Sequence, residues 1–430
     1  VGANMAYGLQ HVLTMYGGIV AVHLILGQAA GLAPGDIGLL IAASLFAGGL
    51  ATLLQTLGVP FFGCQLPLVQ GVSFAGVATM VAIIGSGGSG GIPAVLGAVM
   101  AASLIGLLIT PIFSRITKFF PPLVTGIVVL MIGLTLIKVG LISMGGGFSA
   151  MSNGTFANGE NLLLSGVVLG IIVVLNRIPV VWMRSCAIVI ALAVGYALAG
   201  YLGRLDFTGM HQAELFQVPT PLHFGLDFSW PLFIPMLVIY LVTSLEAIGD
   251  VTATSKVSKQ PVEGPLWMQR IKGGVLVNGA NSFLAGIFNT FPSSVFAQNN
   301  GVIQLTGVAS RYVGLWIAAM LVLLGLFPSV AGVIQAVPEP VLGGAAMVMF
   351  GAVAASGINI LAGIQLDRRA LLIIAVSLAL GLGVSQVPEF LAHMPAALRN
   401  VLESGVATGG ICALLLNWFL PESPVQKAGH

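Results

Sequence analysis

Glu246 stands in a stretch, 231–250, that is otherwise made of residues such as Leu237, Val238, Ile239, Tyr240 and Leu241. Asp250 follows four residues later, on the same face if the stretch is helical. A carboxylate inside an apolar run is costly to keep there, which makes it a candidate for function. Held away from bulk water, it can accept hydrogen bonds from the N–H groups of a ligand and can take up and release a proton. The plainer alternative is a helix end bearing two solvated acids. A second cluster is Phe291-Pro292-Ser293-Ser294-Val295-Phe296-Ala297-Gln298-Asn299-Asn300-Gly301, where three consecutive amides meet a glycine after a proline. A lipid-facing helix does not tolerate this composition, whereas a helix broken at membrane depth can offer backbone N–H and C=O groups to a polar ligand. Pro67-Leu68-Val69-Gln70-Gly71-Val72-Ser73-Phe74-Ala75 repeats the pattern of proline, amide, glycine and aromatic in the first half. A simple helix kink is the alternative for both. Gln10-His11 is a third candidate, although a lone histidine in an apolar helix more often packs than reacts, and His23, twelve residues on, carries less signal still.

The elements that position these residues follow from composition. Of the 430 residues, 57% are hydrophobic and only 7% are charged, where soluble domains carry roughly a quarter. Such a chain cannot cover itself with polar surface in water. Hydrocarbon removes the requirement, because helices satisfy their own backbone groups. The expected fold is an all-α polytopic membrane protein with fourteen spans of about 20 residues each, fewer where a helix is broken. They begin near Gly8, Ile37, Phe62, Ile92, Pro121, Leu162, Cys186, Trp230, Gly273, Ser293, Val313, Val341, Leu371 and Val406.

Charge distribution supports this count, since cytoplasmic loops are enriched in Lys and Arg. With the N-terminus inside, alternate loops collect Arg115, Lys118, Arg177, Arg184, Lys256, Lys259, Arg270, Lys272, Arg311, Arg368, Arg369 and Lys427, twelve of the 15 basic residues. The opposite side holds Lys138, Arg204 and Arg399 among most of the acids. Both termini are therefore expected in the cytoplasm. The halves also echo each other: Pro122, Val124, Gly126, Met131 and Gly133 recur as Pro340, Leu342, Gly344, Met349 and Gly351, all displaced by 218 residues. Seven spans per half is odd, so the second copy enters the membrane in the opposite sense, as an inverted repeat. Glycine-rich runs at 85–91 and 145–147 read as loops, and Gly48, Gly49, Gly343 and Gly344 as points of close helix approach.

Several classes are disfavoured, and an anion transporter or channel on the same scaffold is kept as the competing one. A net charge of +2 without a basic stripe gives no nucleic-acid surface. Cys64, Cys186 and Cys412 show neither CxxC nor metal-ligand spacing, so no disulfide framework, metal or cofactor is signalled. Residues 1–7 lack the features of a cleavable signal peptide. His11 and His23 have no HxxE or HExxH context, and no nucleophile with its base is evident, so no catalytic residues are assigned and an enzyme is not expected. An anion transporter or channel would want a helix N-terminus and a positive charge at its site, and would accommodate Glu246 poorly.

The string Gln298-Asn299-Asn300-Gly301-Val302-Ile303-Gln304-Leu305-Thr306-Gly307 resembles the signature of the nucleobase/ascorbate transporter family: a glutamine or acid, Asn, any residue, Gly, four more and Thr. Gln10-His11, Ser73-Phe74-Ala75, Glu246-Ala247-Ile248-Gly249-Asp250 and a Lys272-Gly273-Gly274 loop match as well, and the chain is most similar to the bacterial xanthine permeases of that family. The resemblance implies fourteen segments in two inverted seven-segment repeats, with short mid-membrane strands in segments 3 and 10. It divides them between a core (1–118, segments 1–4; 229–335, segments 8–11) and a gate (119–228, segments 5–7; 336–430, segments 12–14) that mediates a homodimer. Transport is then elevator-like. By position, Glu246 and Gln298 hydrogen-bond the base, Phe74, Ser73 and Ala75 line it through backbone groups, and Phe74 adds a ring face. His11, Asp250 and Asn299 organise the site or serve proton coupling, with Asn299 also placed against the ligand.

Uracil transporters resembling this chain carry a second acid where Gln298 stands, and an amide offers both donor and acceptor to a purine. Asn300 and Gly307 are similar to the xanthine-selective branch, whereas Asn278 and His23 depart from relatives that carry Asp and Pro there. The implied activity is uptake of xanthine with a proton across the bacterial inner membrane, no cofactor being needed beyond the proton itself. Urate, guanine and hypoxanthine remain alternatives, with uracil less favoured.

Overall fold

The computed structural model describes residues 2–74, 76–77, 80–81, 84, 91–116, 121–180, 183–184, 186–205, 215–261, 264–296, 299, 303, 308–329, 336–395, 398–399 and 402–421. The described elements run α1 (Gly2–Ala29), α2 (Pro34–Leu57), β1 (Gln70–Val72), α3 (Gly91–Ile116), α4 (Pro122–Met144), the short α5 (Gly147–Ser152), α6 (Gly159–Arg177), α7 (Ala187–Tyr201), α8 (Trp230–Val257), α9 (Gly264–Ile287), β2 (Ser293–Val295), α10 (Arg311–Leu326), α11 (Glu339–Ala362), α12 (Arg368–Gln386) and α13 (Gly405–Phe419). The chain punctuates these helices with local chemistry. Asn158, Ser310, Asp367 and Ser404 cap α6, α10, α12 and α13 with side-chain oxygens that accept backbone N–H groups. Prolines open α4 and α11, where a missing N–H costs nothing.

Seven of the described helices are long and apolar enough to cross a membrane, and four more are shorter and apolar. The outward faces confirm the solvent: Leu162, Leu163, Val173 and Val174 on α6 and Leu371, Leu372 and Leu380 on α12 are all exposed. A mostly helical, multi-pass membrane protein results. Hydropathy marks where apolar residues begin, not where the backbone starts to coil. Thus α1 begins at Gly2 ahead of the expected Gly8, and α9 begins at Gly264, with Gln269, Arg270 and Lys272 in its first turns. Lys272-Gly273-Gly274, expected as a loop, lies inside α9. Gly273 serves close approach there rather than a turn: the Gly63 backbone N–H donates to its carbonyl at 3.0 Å.

The two interrupted stretches form the centre of the fold. β1 and β2 pair with each other, antiparallel, in the register Gln70–Val295, Gly71–Ser294 and Val72–Ser293. The ladder is extended by Phe296 N–H to the Val69 carbonyl (2.9 Å) and Ser73 N–H to the Pro292 carbonyl (2.7 Å). β1 rests on α2, where a Cβ on Gly48 would lie 2.8 Å from the Gln70 carbonyl and Thr52 Oγ1 accepts the Gln70 N–H at 3.0 Å. β2 rests on α8 and α9. In the other part of the chain α4 and α11 form the most extensive helix pair. They cross with backbones almost touching: a Cβ on Gly133 would lie 2.5 Å from Ala354 Cα, and one on Gly357 would lie 2.6 Å from Leu130 Cα. Small residues permit this approach, which packing in lipid rewards.

Candidate functional site

Strand alternation decides which side chains of β2 face which way. Ser293 faces one side, where a polar lock holds it. Its Oγ donates to the Gly71 carbonyl at 2.8 Å, its N–H donates to Ser282 Oγ at 3.1 Å, and Asn281 Nδ2 donates to its Oγ. All of these groups are buried, so the crossing of the two strands is fixed from beneath. Ser294 therefore faces the opposite side, toward α8, and its Oγ donates to Glu246 Oε2 at 2.8 Å. Ser73, just past the end of β1, directs its Oγ to the same oxygen at 3.5 Å, a distance at the outer limit for such a bond. Glu246 is thus held by Ser294 of β2 and approached by Ser73, which follows β1, and it keeps part of its own surface accessible.

Aromatic rings wall the same place. Phe74 meets Phe296 edge-on, with centroids 5.9 Å apart at 68°, and meets Phe350 of α11 at 5.2 Å and 79°. From α1, Gly18 sits over two of these rings, and a Cβ there would lie 3.0 Å from both Phe296 Cε1 and Phe74 Cζ. Phe74, two residues past β1, and Phe350 tie this stretch to α11, which α1 also contacts.

α1 is tied to the far side of the crossing by two histidines. Asn299 Nδ2 lies 3.0 Å from His11 Nδ1 and 3.3 Å from the His11 carbonyl. A carbonyl only accepts, so the amide presents its NH2 here, and His11 must accept at Nδ1 with its proton on Nε2. Twelve residues on, His23 Nδ1 donates to the Ile19 carbonyl at 2.7 Å, and Nε2 lies 3.0 Å from Thr290 Oγ1. The second contact anchors α1 just ahead of β2, and the His23 ring also packs against Phe291, with centroids 5.6 Å apart at a tilt of 39°. Asn278, where relatives were expected to carry Asp, is fully buried and donates to Thr243 Oγ1 at 3.2 Å.

Of the residues singled out in the sequence, Glu246, Ser73 and Phe74 meet at the strand crossing, and His11 meets Asn299 beside it. Asp250 lies one turn further along α8, half-buried. Ala75, Gln298, Asn300, Gly301, Thr306 and Gly307 lie outside the described residues. Four contributors had been assigned no role: Ser294, Phe296, Thr290 and Phe350. Ser294 was legible in principle, since two-residue alternation pairs it with Phe296. Phe350 carried no signal, being one apolar residue in an apolar helix. Among the described residues no three His, Cys, Asp or Glu side chains converge to hold a metal ion, and Cys64, Cys186 and Cys412 are free thiols. No ion pair among the described residues includes Glu246.

Comparison with known proteins bears on this geometry. The permease family model Xan_ur_permease matches residues 2–390. Xanthine permease XanP of Escherichia coli (strain K12) is 50% identical over 420 residues, covering 96% of this chain and 90% of that protein. Xanthine permease XanQ of the same organism is 41% identical, with 97% and 91% covered. Uric acid permease PucJ of Bacillus subtilis is 39% identical, with 96% and 91% covered. Among solved structures, the transmembrane domain of the cyanobacterial bicarbonate transporter BicA superposes with a TM-score of 0.60 at 16% identity, covering 96% of this chain and 97% of that one. The murine anion transporter Slc26a9 in its inward-facing state gives 0.59 at 13%, covering 97% and 68%. At those identities the structural likeness speaks for the fold alone.

Proposed function

Because the chain belongs to the permease family whose model spans residues 2–390, we propose that it takes up a purine base, xanthine, together with a proton across the bacterial inner membrane. The observation that carries this reading is the carboxylate of Glu246, half-buried at a crossing of two short strands and held there at 2.8 Å by Ser294. A partly accessible acceptor beside an aromatic wall suits a planar ligand with N–H donors. Relatives named for xanthine and for uric acid support the purine class.

In this reading Glu246 and Gln298 hydrogen-bond the base. Ser73, Phe74 and Ala75 line it, with Asn299 alongside, while His11 and Asp250 organise the site or pass the proton. The fourteen segments form two inverted repeats, a view supported by the antiparallel pairing of β1 with β2 and by the packing of α4 on α11. Residues 1–118 and 229–335 are the moving core, and residues 119–228 and 336–430 are the gate through which two copies associate. The Phe74–Phe350 contact then lies between the two bodies of an elevator, and both termini lie in the cytoplasm. Proton entry is worth about 2.3 kcal/mol per charge per 100 mV. That supports roughly fifty-fold accumulation at about 100 mV, at a factor of ten per 1.4 kcal/mol.

Uptake of labelled xanthine into cells without their own permeases tests the activity, and an uncoupler tests the coupling: accumulation that persists in its presence refutes proton symport. A panel of unlabelled urate, guanine, hypoxanthine and uracil separates a xanthine carrier from a broader one. The fold is shared with anion transporters, so a second reading deserves a direct test. Glu246→Gln abolishes xanthine binding if the site takes a base, and spares binding if it takes an anion.

A further inference from the structure

We infer that Ser294 is the residue that positions Glu246 for its ligand, by occupying Oε2 and leaving Oε1 as the acceptor turned toward the bound base. The inference rests on the reading of Glu246 as a base-binding residue. Each carboxylate oxygen has two acceptor sites. Both serine hydroxyls that reach Glu246 converge on Oε2, Ser294 at 2.8 Å and Ser73 at 3.5 Å, and among the described residues no donor is recorded on Oε1. The carboxylate is therefore held with one oxygen on the serines and the other turned away. A half-turn would bring Oε1 to the serines and swing Oε2 outward, an identical state, while any intermediate angle breaks the short Ser294 bond.

Ser294 can hold this pose because its own backbone is held. It pairs with Gly71, and its neighbour Ser293 is locked by Gly71, Asn281 and Ser282. The hydroxyl is thus carried on a fixed strand, not on a mobile loop. Ser73 cannot substitute for it, because 3.5 Å is too long for a strong O–H···O bond. One serine is carried by β2 and the other follows β1, so the pose of the carboxylate also reports whether the crossing is intact. A ligand N–H that meets Oε1 finds its acceptor already aimed, and no ordering cost is left to binding.

Binding of labelled xanthine is read on the protein purified in detergent, and uptake on the same protein reconstituted in sealed vesicles. Ser294→Ala is expected to raise Kd and the uptake KM about tenfold, because the ligand must then bear the ordering of the carboxylate. Ser294→Thr keeps the hydroxyl and restores Kd to within about threefold. Ser73→Ala has the smaller effect. Double substitution reads the mechanism: the fall in thermal midpoint caused by Ser294→Ala shrinks by at least half in a Glu246→Gln background, because the partner of the hydroxyl has lost its charge. A Kd within twofold of the parent for Ser294→Ala, or fully additive midpoints, overturns the inference. If Ser294→Ala does not give folded protein, Ser294→Cys, a weak donor of similar shape, takes its place with the same expectation. An unchanged Kd for Glu246→Gln overturns instead the assignment of the base to this site, so the two failures are told apart.

Discussion

Gly71→Ala places a methyl group against the ring of Phe296. A Cβ built on Gly71 would lie 3.0 Å from Phe296 Cδ2 and 3.2 Å from Cζ, with Cε2 closer still. Carbon atoms rest at about 3.5–4.0 Å, so either the ring or the strand must give by about an ångström. Neither is free to do so. The ring is 3% exposed and packs against Phe74, with Gly18 above it. The strand is pinned by the bond from Ser293 Oγ to the Gly71 carbonyl. Overpacking of this kind costs about 1–3 kcal/mol. The displacement is felt first at Phe74 and Ser294, the two groups that frame Glu246. If half of a 3 kcal/mol strain is relieved by opening the site, affinity falls about tenfold. Binding of labelled xanthine and thermal unfolding, both on purified protein, measure the two parts. Gly351→Ala is the control: among the described residues no atom outside its own stretch of helix lies within 4 Å of its Cβ, and alanine is the better helix former by about 1 kcal/mol. Unchanged affinity and stability for Gly71→Ala would refute the claim that the strand crossing sets the geometry of the site.

Two further substitutions test the supports. Thr290→Val keeps the shape of the side chain but removes the hydroxyl beside His23 Nε2. A buried ring nitrogen left without its partner costs about 1–3 kcal/mol, so the thermal midpoint falls, whereas Thr290→Ser leaves it in place. Arg369 donates to the Leu420 carbonyl at 3.0 Å and to both oxygens of Asn417 at 2.6 and 3.0 Å, closing the C-terminus of α13. Arg369→Ala frees those acceptors, and limited proteolysis is expected to cut near residues 417–420 faster than in the parent, with xanthine affinity unchanged.

Much of the architecture was legible in the chain because lipid leaves strong marks on sequence. Long apolar runs separated by basic loops placed the starts of most described helices to within about a turn, although α1 and α9 begin earlier than hydropathy marks, and proline–amide–glycine clusters placed both interruptions where β1 and β2 are found. Helix ends were less legible, since a helix continues past the hydrocarbon into residues such as Arg270 and Lys272, where hydropathy falls while the backbone stays coiled. Glycine was ambiguous for the same reason. Gly273 read as part of a loop and proved to be a contact with Gly63, because the absence of a Cβ serves turns and close packing alike.

The sequence by itself determined the solvent of this protein, the places where its helices break, and the presence inside a separate apolar helix of a carboxylate too expensive to be incidental. All three are properties of composition and short-range order. Only the tertiary structure decided that β1 pairs with β2, that Ser294 rather than Ser73 grips Glu246, and that Phe350 completes the wall beside Phe74. Gly71 and Ser293 are 222 residues apart in the chain, and no local pattern encodes which strand meets which. Phe350 differs in no chemical respect from the apolar residues around it; its place in the site comes from helix packing, which a one-dimensional pattern does not contain.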